Sequence, residues 1–208
     1  MRVLVDVDGV VAECAGLMLR EINERFRTVW TNTAEPFRQN WVQYKDIKYF
    51  DCFTNPERGI FTKGECKFAV ENFARSSFAY DMPVLNGSVQ SISKLREAGH
   101  DVVFVTAQWG ESIDWTHSRV RWLEQHFDAK LRDIIFAHRK ELVLGDVLID
   151  DRVETCIKYA QMHPSAQVYM YKQPWNVNAV ELPDNVMRFT WDHVGMLTKR
   201  KEDLVWVS

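Results

Sequence analysis

Short apolar runs alternate along the chain with longer stretches in which apolar residues recur at helical spacing. The runs are typical of buried strands, and the periodic stretches are typical of amphipathic helices. Strands are predicted at residues 2–7, 101–106, 133–137, 147–151, 167–171 and 186–189. Helices are predicted at residues 13–27, 63–76, 88–98, 112–127, 153–162 and 193–200. This alternation predicts right-handed βαβ units, and therefore an α/β fold with a Rossmann-like, doubly wound parallel sheet.

The stretch between the first two strands has a different pattern. From residue 28 to residue 84 the chain loses strand character and becomes rich in aromatic side chains. We expect a small helical cap inserted after strand one, over the carboxyl edge of the sheet. This divides the chain into a core of residues 1–12 and 84–208 and a cap of residues 13–83. The alternative is a helical subdomain that uses the aromatic residues only for its own core.

Composition limits the classes of function. The 208 residues fit one domain with an insertion, and 46% hydrophobic with 26% charged residues is ordinary for a globular protein. A net charge of −3 offers no basic field for nucleic acid or a membrane surface. The four scattered cysteines argue against a zinc site and a disulfide framework. Since no run is long enough to span a membrane, we expect a reducing, cytoplasmic setting.

Polar side chains stand where the predicted strands end. Asp6 and Asp8 follow the first strand, Thr106 ends the second, and Asp150 with Asp151 ends the fourth. The carboxyl ends of parallel strands meet at one edge of a sheet, where ligands bind. Paired acids at that edge repel one another unless a cation neutralises them, so the pattern favours a Mg²⁺ site.

These residue types suit phosphoryl transfer. We expect Asp6 to be the nucleophile, forming an aspartyl-phosphate, and Asp8 to be the general acid and base. The carboxylates of Asp6 and Asp150 and the backbone carbonyl of Asp8 would bind Mg²⁺. Thr106 would donate to the phosphoryl oxygens, and Lys140, in the connection before strand four, would add positive charge. Asp151, the neighbour of Asp150, would lie in the second shell of the metal.

Each residue alone has an ordinary alternative. An Asp-x-Asp pair is often a solvated turn, Asp150-Asp151 could be a helix N-cap, and a lone Lys140 is usually a surface residue. The joint pattern of two strand-terminal acid pairs, with a threonine strand end and a spaced lysine between them, is far more specific.

The same positions carry a family resemblance. Four segments resemble, in order, the four motifs of the haloacid dehalogenase superfamily of phosphatases: Asp6-Val-Asp8-Gly-Val, Val105-Thr106, Lys140 and Leu148-Ile-Asp150-Asp151-Arg152. The resemblance covers roughly residues 1–12 and 84–175. The helical insertion, Trp122-Leu123-Glu124 and the segment 149–152 are similar to the 5′(3′)-deoxyribonucleotidases. That resemblance implies a Mg²⁺-dependent nucleoside 5′-monophosphatase whose cap holds the base with aromatic residues.

Three positions depart from the family pattern. Ala107 stands where a serine is common, Cys14 where a pocket phenylalanine is found, and Arg119 where animal members carry a phosphate-binding lysine. Arg119 and Lys140 are therefore both candidates for the main phosphate-binding cation, because arginine keeps the charge but changes the geometry. Candidates for stacking on the base are three aromatic residues, each with cap packing as its alternative: Trp30, Trp41 and Phe78.

The function expected from these observations is hydrolysis of (deoxy)nucleoside 5′-monophosphates. Another small phosphomonoester, such as a sugar phosphate, is the alternative substrate. A rival of a different class is a nucleotide-binding protein that has the fold without catalysis. A pure binder has no need of the leaving-group acid Asp8, which favours the enzyme. We expect a small-molecule nucleotide as the partner, not a nucleic acid polymer or a membrane, and the sequence leaves a homodimer open.

Overall fold

The computed structural model of the protein describes residues 1–29, 42–109 and 113–198. Its centre is a six-stranded sheet in the order β3-β2-β1-β4-β5-β6, with every adjacent pair parallel. The strands are β1 Arg2–Val5, β2 Asp101–Thr106, β3 Ile134–Phe136, β4 Val147–Asp150, β5 Gln167–Tyr171 and β6 Val186–Phe189. The order reverses on either side of β1, which confirms the predicted doubly wound parallel sheet and puts a ligand crevice at the carboxyl ends of β1 and β4.

The helices occupy the predicted stretches with two differences. They are α1 Cys14–Val29, α2 Lys63–Phe73, α3 Ser76–Tyr80, α4 Ser88–Glu97, α5 Ile113–Phe127 and α6 Val153–Met162. The helix predicted at 63–76 is wrong as one element, because Arg75 adopts extended angles (φ −77°, ψ 136°) that separate α2 from α3. The last predicted helix is instead a 3₁₀ segment, Trp191–Met196, and residues 199–200 lie outside the described chain.

Helix layers cover both faces of the sheet. Leu4 joins a hydrophobic cluster with Tyr159 of α6, whereas its neighbours Val3 and Val5 join the cluster that includes Trp122 of α5. Alternate residues of a strand point to opposite faces, so β1 is buried from both sides and its apolar run has no polar break. No helix in the described part of the chain combines the length and the apolar composition needed to cross a membrane.

The chain turns sharply immediately after β1. Three backbone N–H groups, those of Val10, Val11 and Ala12, donate to the carbonyl of Val7. Gly9 has a φ of +79°, a value that favours glycine. The strand predicted at residues 2–7 therefore ends at Val5, because the Val7 carbonyl accepts hydrogen bonds within the turn and not from a neighbouring strand. Asp6 is thus the first residue beyond the strand and Asp8 lies inside the turn.

The segments that lead into and out of the predicted cap run side by side. Glu13 donates its N–H to the carbonyl of Pro83 at 2.8 Å, and Leu85 donates to Val11 at 2.8 Å. Cap residues such as Met18 and Phe53 belong to the same hydrophobic cluster as Val5 of the sheet. The core therefore continues into the cap without a break, and the division at residues 12/13 and 83/84 stays a prediction.

Candidate active site

Three carboxyl groups converge at the carboxyl ends of β1 and β4. Asp6 follows β1, Asp150 ends β4 and Asp151 follows it, and each offers an oxygen within 4.8 Å of the oxygens of the others. All three residues are buried. Strands β1 and β4 pair directly, with Val5 opposite Ile149, and Asp6 extends this pairing by donating its N–H to the Ile149 carbonyl at 2.9 Å. Strand register alone brings together residues that lie far apart in the sequence.

Lys140 supplies a buried cation to this cluster. Its Nζ lies 2.5 Å from Asp6 Oδ1 and 2.7 Å from Asp150 Oδ2. Burial on its own lowers the pKa of Lys140, but Asp150 and Asp6 outweigh it and hold the pKa above its ordinary value. The ammonium therefore stays protonated. Lys140 lies in a short 3₁₀ turn in the connection before β4, and its predicted role of adding positive charge at the phosphate stays a prediction.

One ammonium does not neutralise three carboxyl groups. Burial, together with Asp150, raises the pKa of Asp6 to about 7 against the opposing effect of Lys140. Burial and the neighbouring carboxylates Asp150 and Asp6 also hold the pKa of Asp151 well above its usual range. Burial and mutual repulsion thus both disfavour the charged carboxylates, and a second cation would relieve both effects.

Among the three acids, Asp151 has the carboxyl oxygens that are most available to bind such a cation. Asp150 already accepts from Lys140 and from the N–H of Arg152 at 2.8 Å, whereas both carboxyl oxygens of Asp151 are buried with no hydrogen-bond partner among the described residues. A buried, unpartnered carboxylate is costly unless something positive binds it. The donor set, all carboxylate oxygen, suits a hard divalent ion. The second-shell position expected for Asp151 stays a prediction, and the structure puts its oxygens within the same cluster as those of Asp6.

Asp8 lies apart from this cluster and has its own cation. Nη2 of Arg119, from α5, donates to Asp8 Oδ1 at 2.7 Å. The Arg119 side chain is fully buried, with its guanidinium 4.9 Å from the ring centroid of Trp115 and 5.7 Å from that of Trp122. The Asp8 side chain remains 27% exposed. Lys140 thus contacts Asp6 and Asp150, while Arg119 contacts Asp8.

The other predicted site residues divide into three cases. Thr106 ends β2 as expected, and its buried hydroxyl has no hydrogen-bond partner in the described part of the chain, so it is able to donate to a ligand oxygen. Phe78 is buried in the hydrophobic cluster with its ring 5.0 Å from that of Phe73. Its role in base stacking stays a prediction. Trp30 and Trp41 lie outside the described residues.

The turn after β5, Gln173-Pro174-Trp175-Asn176, lies outside the predicted site residues. The structure buries the side chains of Gln173 and Asn176 and bonds them to Gly9 and Asp151. Two amide residues directly after a buried strand were the available signal, since buried amides need partners that only neighbouring loops can supply.

A family model describes most of this chain. The model of the 5′ nucleotidase, deoxy (pyrimidine), cytosolic type C protein matches residues 1–195. The mitochondrial 5′(3′)-deoxyribonucleotidase of Mus musculus is 25% identical over 193 residues, which are 92% of this chain and 81% of that protein. The cytosolic-type 5′(3′)-deoxyribonucleotidase of Homo sapiens is 26% identical over 157 residues, which are 73% of this chain and 71% of that protein.

Solved structures resemble the fold more broadly. A haloacid dehalogenase-like family hydrolase from Xanthomonas campestris has a TM-score of 0.55 at 11% identity, covering 95% of this chain and 96% of that one. A dehalogenase solved with an intermediate complex has a TM-score of 0.57 at 9% identity, covering 96% and 97%. At such low identity these likenesses show the fold, and they agree with the parallel sheet described above.

Proposed function

Because the chain belongs to the 5′ nucleotidase, deoxy (pyrimidine), cytosolic type C family, we propose that it hydrolyses (deoxy)nucleoside 5′-monophosphates through an aspartyl-phosphate. The observation that carries the proposal is the arrangement of the acids. One buried carboxyl, Asp6, is held by a lysine within a cluster suited to a divalent ion, and a second, Asp8, stands apart and partly exposed. Two carboxyls in unlike environments can take unlike roles.

In the first step Asp6 attacks the phosphorus of the substrate. The N–H of Val7 and Nζ of Lys140 both contact Oδ1, which orients the carboxylate and leaves Oδ2 as the attacking atom. The new Oδ2–P bond forms as the bond from phosphorus to the sugar oxygen breaks. Asp8 donates its proton to that leaving oxygen, so the nucleoside departs as a neutral alcohol.

In the second step Asp8, now ionised, takes a proton from water. The water oxygen attacks the phosphorus of the aspartyl-phosphate, the P–Oδ2 bond breaks, and inorganic phosphate leaves. Arg119 keeps the Asp8 carboxyl in place through both steps by its bond to Oδ1. The Thr106 hydroxyl donates to a phosphoryl oxygen, which gives that buried group its partner.

We propose Mg²⁺ as the cofactor of this site. The carboxylates of Asp6 and Asp150 and the Asp8 carbonyl would hold it, with Asp151 beside them. When bound, the ion neutralises charge on the phosphoryl oxygens. Lys140 is the main cation of the protein at the nucleophile, because it contacts Asp6, and Arg119 serves Asp8 instead. The family match and the cytosolic-type relative support a cytoplasmic enzyme with a small-molecule nucleotide as its partner.

A panel of phosphomonoesters, assayed with Mg²⁺ and with a chelator, tests the proposal. We expect release of inorganic phosphate from deoxyribonucleoside 5′-monophosphates such as dUMP, and no release without the metal. Activity on sugar phosphates with none on any nucleotide would establish the alternative substrate class. Nucleotide binding without hydrolysis of any member of the panel would favour a non-catalytic binding protein.

A further inference from the structure

The turn of residues 173–176 carries two amide side chains inside the protein. Gln173 is 4% exposed and Asn176 is fully buried. Asn176 Nδ2 donates to the carbonyl of Asp151 at 2.8 Å and to that of Tyr171 at 2.7 Å, and its Oδ1 accepts from the N–H of Gln173 at 3.0 Å. Asn176 therefore ties the loop that follows β4 to the end of β5.

Gln173 makes the matching connection to the loop after β1. Its Nε2 donates to the carbonyl of Gly9 at 2.5 Å, and its Oε1 accepts from the hydroxyl of Tyr44 at 2.8 Å. Since a backbone carbonyl can only accept, the amide nitrogen must face Gly9 and the amide oxygen must face Tyr44. Burial raises the pKa of Tyr44, so its hydroxyl stays a donor. The orientation of the Gln173 amide is thereby determined at both ends.

The two loops that the turn connects also touch each other. A Cβ atom at Gly9 would overlap the Asp151 carboxylate and would lie 3.3 Å from Cζ2 of Trp175. Gly9 follows Asp8, and Asp151 follows Asp150. The turn 173–176 thus packs against the backbone of both acid-bearing loops where they meet.

Tyr44 brings the cap into this network. It lies in a short 3₁₀ segment, Tyr44–Asp46, within the predicted cap, far in sequence from the turn it bonds. Its ring also contacts Trp175 edge to face, with centroids 6.2 Å apart. One hydroxyl of the cap is therefore linked through the Gln173 amide to the carbonyl of Gly9, the residue that follows Asp8.

We propose that Gln173 and Asn176 position the two loops that carry the acids, the loop after β1 and the loop after β4. We also propose that the Tyr44 hydroxyl makes this positioning depend on the position of the cap relative to the sheet. Gln173 holds the Gly9 peptide, which fixes the neighbouring Asp8 carbonyl. Asn176 holds the Asp151 peptide, which fixes the direction of that carboxylate. The inference rests on the proposed function, because it takes these loops to hold the metal and the acid–base group.

The chain offers a matched control for the Tyr44–Gln173 bond. Tyr80 of α3 donates its hydroxyl to Gln125 Oε1 of α5 at 2.7 Å, so it makes the same tyrosine–glutamine bond between the cap and the core at an exposed position. We would compare Tyr44→Phe, Gln173→Met and Tyr80→Phe with the unaltered protein. The readouts are Mg²⁺ affinity by calorimetry without substrate, kcat and KM for dUMP, and thermal stability.

Tyr80→Phe should leave Mg²⁺ affinity and kcat within about twofold of the unaltered protein. Tyr44→Phe should lower both by roughly three- to tenfold, which is the effect of one hydrogen bond. Gln173→Met should lower Mg²⁺ affinity by about tenfold or more, as loss of a group that orients metal ligands does. The changes should appear in kcat more than in KM, because the loops act on the reacting groups.

Two results would overturn the inference. One is equal behaviour of Tyr44→Phe and Tyr80→Phe in Mg²⁺ affinity and kcat. The other is a Gln173→Met protein that melts at a lower temperature yet keeps both quantities, since this describes a purely structural residue. Failure of the proposed function is separate: if the unaltered protein hydrolyses no nucleotide, the comparison of Mg²⁺ affinities among the variants still decides whether the turn positions the loops.

Discussion

Arg119 donates from Nη2 to Asp8 Oδ1 at 2.7 Å, from a position with no solvent exposure. Two tryptophan rings flank its guanidinium, and the Trp122 indole is itself fixed by donating to the carbonyl of Met82 at 2.8 Å. The cation is therefore enclosed by the protein, while the carboxyl that it binds stays partly exposed. Arginine suits this place because its planar charge stacks on rings and still donates in a fixed direction.

Replacing Arg119 tests whether it anchors Asp8. Arg119→Met should lower kcat for dUMP by about ten- to a hundredfold, because Asp8 loses the bond that orients it. The kcat of Arg119→Lys should lie between that of Arg119→Met and that of the unaltered protein, since lysine keeps the charge without the planar guanidinium. Arg121→Met makes the same change on the exposed side of α5 and should leave kcat unchanged. A folded Arg119→Met protein with full kcat would contradict the assignment.

Asp6→Asn should abolish phosphate release from nucleotides while the protein remains folded. An amide cannot form the acyl-phosphate, and its size preserves the packing around β1. Phosphate release and circular dichroism measure the two parts of this prediction. Turnover that survives the substitution would show that another group attacks the phosphorus.

The same variant carries a pH prediction for the metal-free protein. Folding raises the pKa of Asp6 from its ordinary 3.8 to about 7, so the folded protein binds this proton more tightly than the unfolded protein does. The free energy of unfolding that this difference contributes is present at low pH and is lost as pH rises from about 3.8 to about 7. Asp6→Asn has no such proton. The free energy of unfolding is measured for both proteins by denaturant at pH 5 and at pH 8, with a chelator present. From pH 5 to pH 8 the value for Asp6→Asn should rise relative to that of the unaltered protein by on the order of 1 kcal/mol. An equal difference at both pH values would contradict the shift.

Asp151→Asn should raise the melting temperature of the metal-free protein. Burial and the neighbouring carboxylates hold the pKa of Asp151 well above its usual range, and its oxygens have no hydrogen-bond partner among the described residues. Folding must therefore either bury an unpaired charge or protonate this carboxyl, and asparagine removes that cost. A gain of about 1 kcal/mol would appear as roughly 2–4 °C. The stabilisation that Mg²⁺ gives should shrink in this variant. Asp184→Asn, at an exposed position, should change neither quantity; an Asp151→Asn protein that behaves like it would refute the prediction.

Gly9→Ala and Gly59→Ala separate backbone strain from contact in the site. Both glycines have positive φ, +79° and +71°, so both variants should lose about 1 kcal/mol or more of stability. A Cβ at Gly59 would meet no atom of the described residues within 4 Å, whereas a Cβ at Gly9 would overlap the Asp151 carboxylate. Thermal melts measure the stability of both variants, melts with and without Mg²⁺ measure metal binding, and dUMP assays measure activity. Only Gly9→Ala should also lose Mg²⁺ affinity and activity. Equal activity of the two variants would mean that the Gly9–Asp151 contact is unimportant.

The fold could be predicted from the sequence because its signals are local. The runs at 101–106 and 167–171 are strands with the predicted ends, and Val153–Met162 is a helix, as expected. The strand predicted at 147–151 ends one residue earlier, at Asp150. A strand buried on both faces must be continuously apolar, and a run of consecutive apolar residues can be recognised in the sequence. The limits of 63–76 and 193–200 were wrong because helical spacing does not report where the backbone turns extended or tightens to 3₁₀.

The sequence by itself predicted the candidate residues of the site: the acids Asp6, Asp8 and Asp150, the hydroxyl of Thr106 and the charge of Lys140. Parallel strands open at one edge, so their terminal residues had to meet. Only the tertiary structure decided which cation faces which acid, that both Asp151 oxygens have no hydrogen-bond partner among the described residues, and that Gln173 and Asn176 donate to the carbonyls of Gly9 and Asp151. These relations depend on side-chain directions and on contacts between segments up to 164 residues apart, which neither periodicity nor spacing encodes.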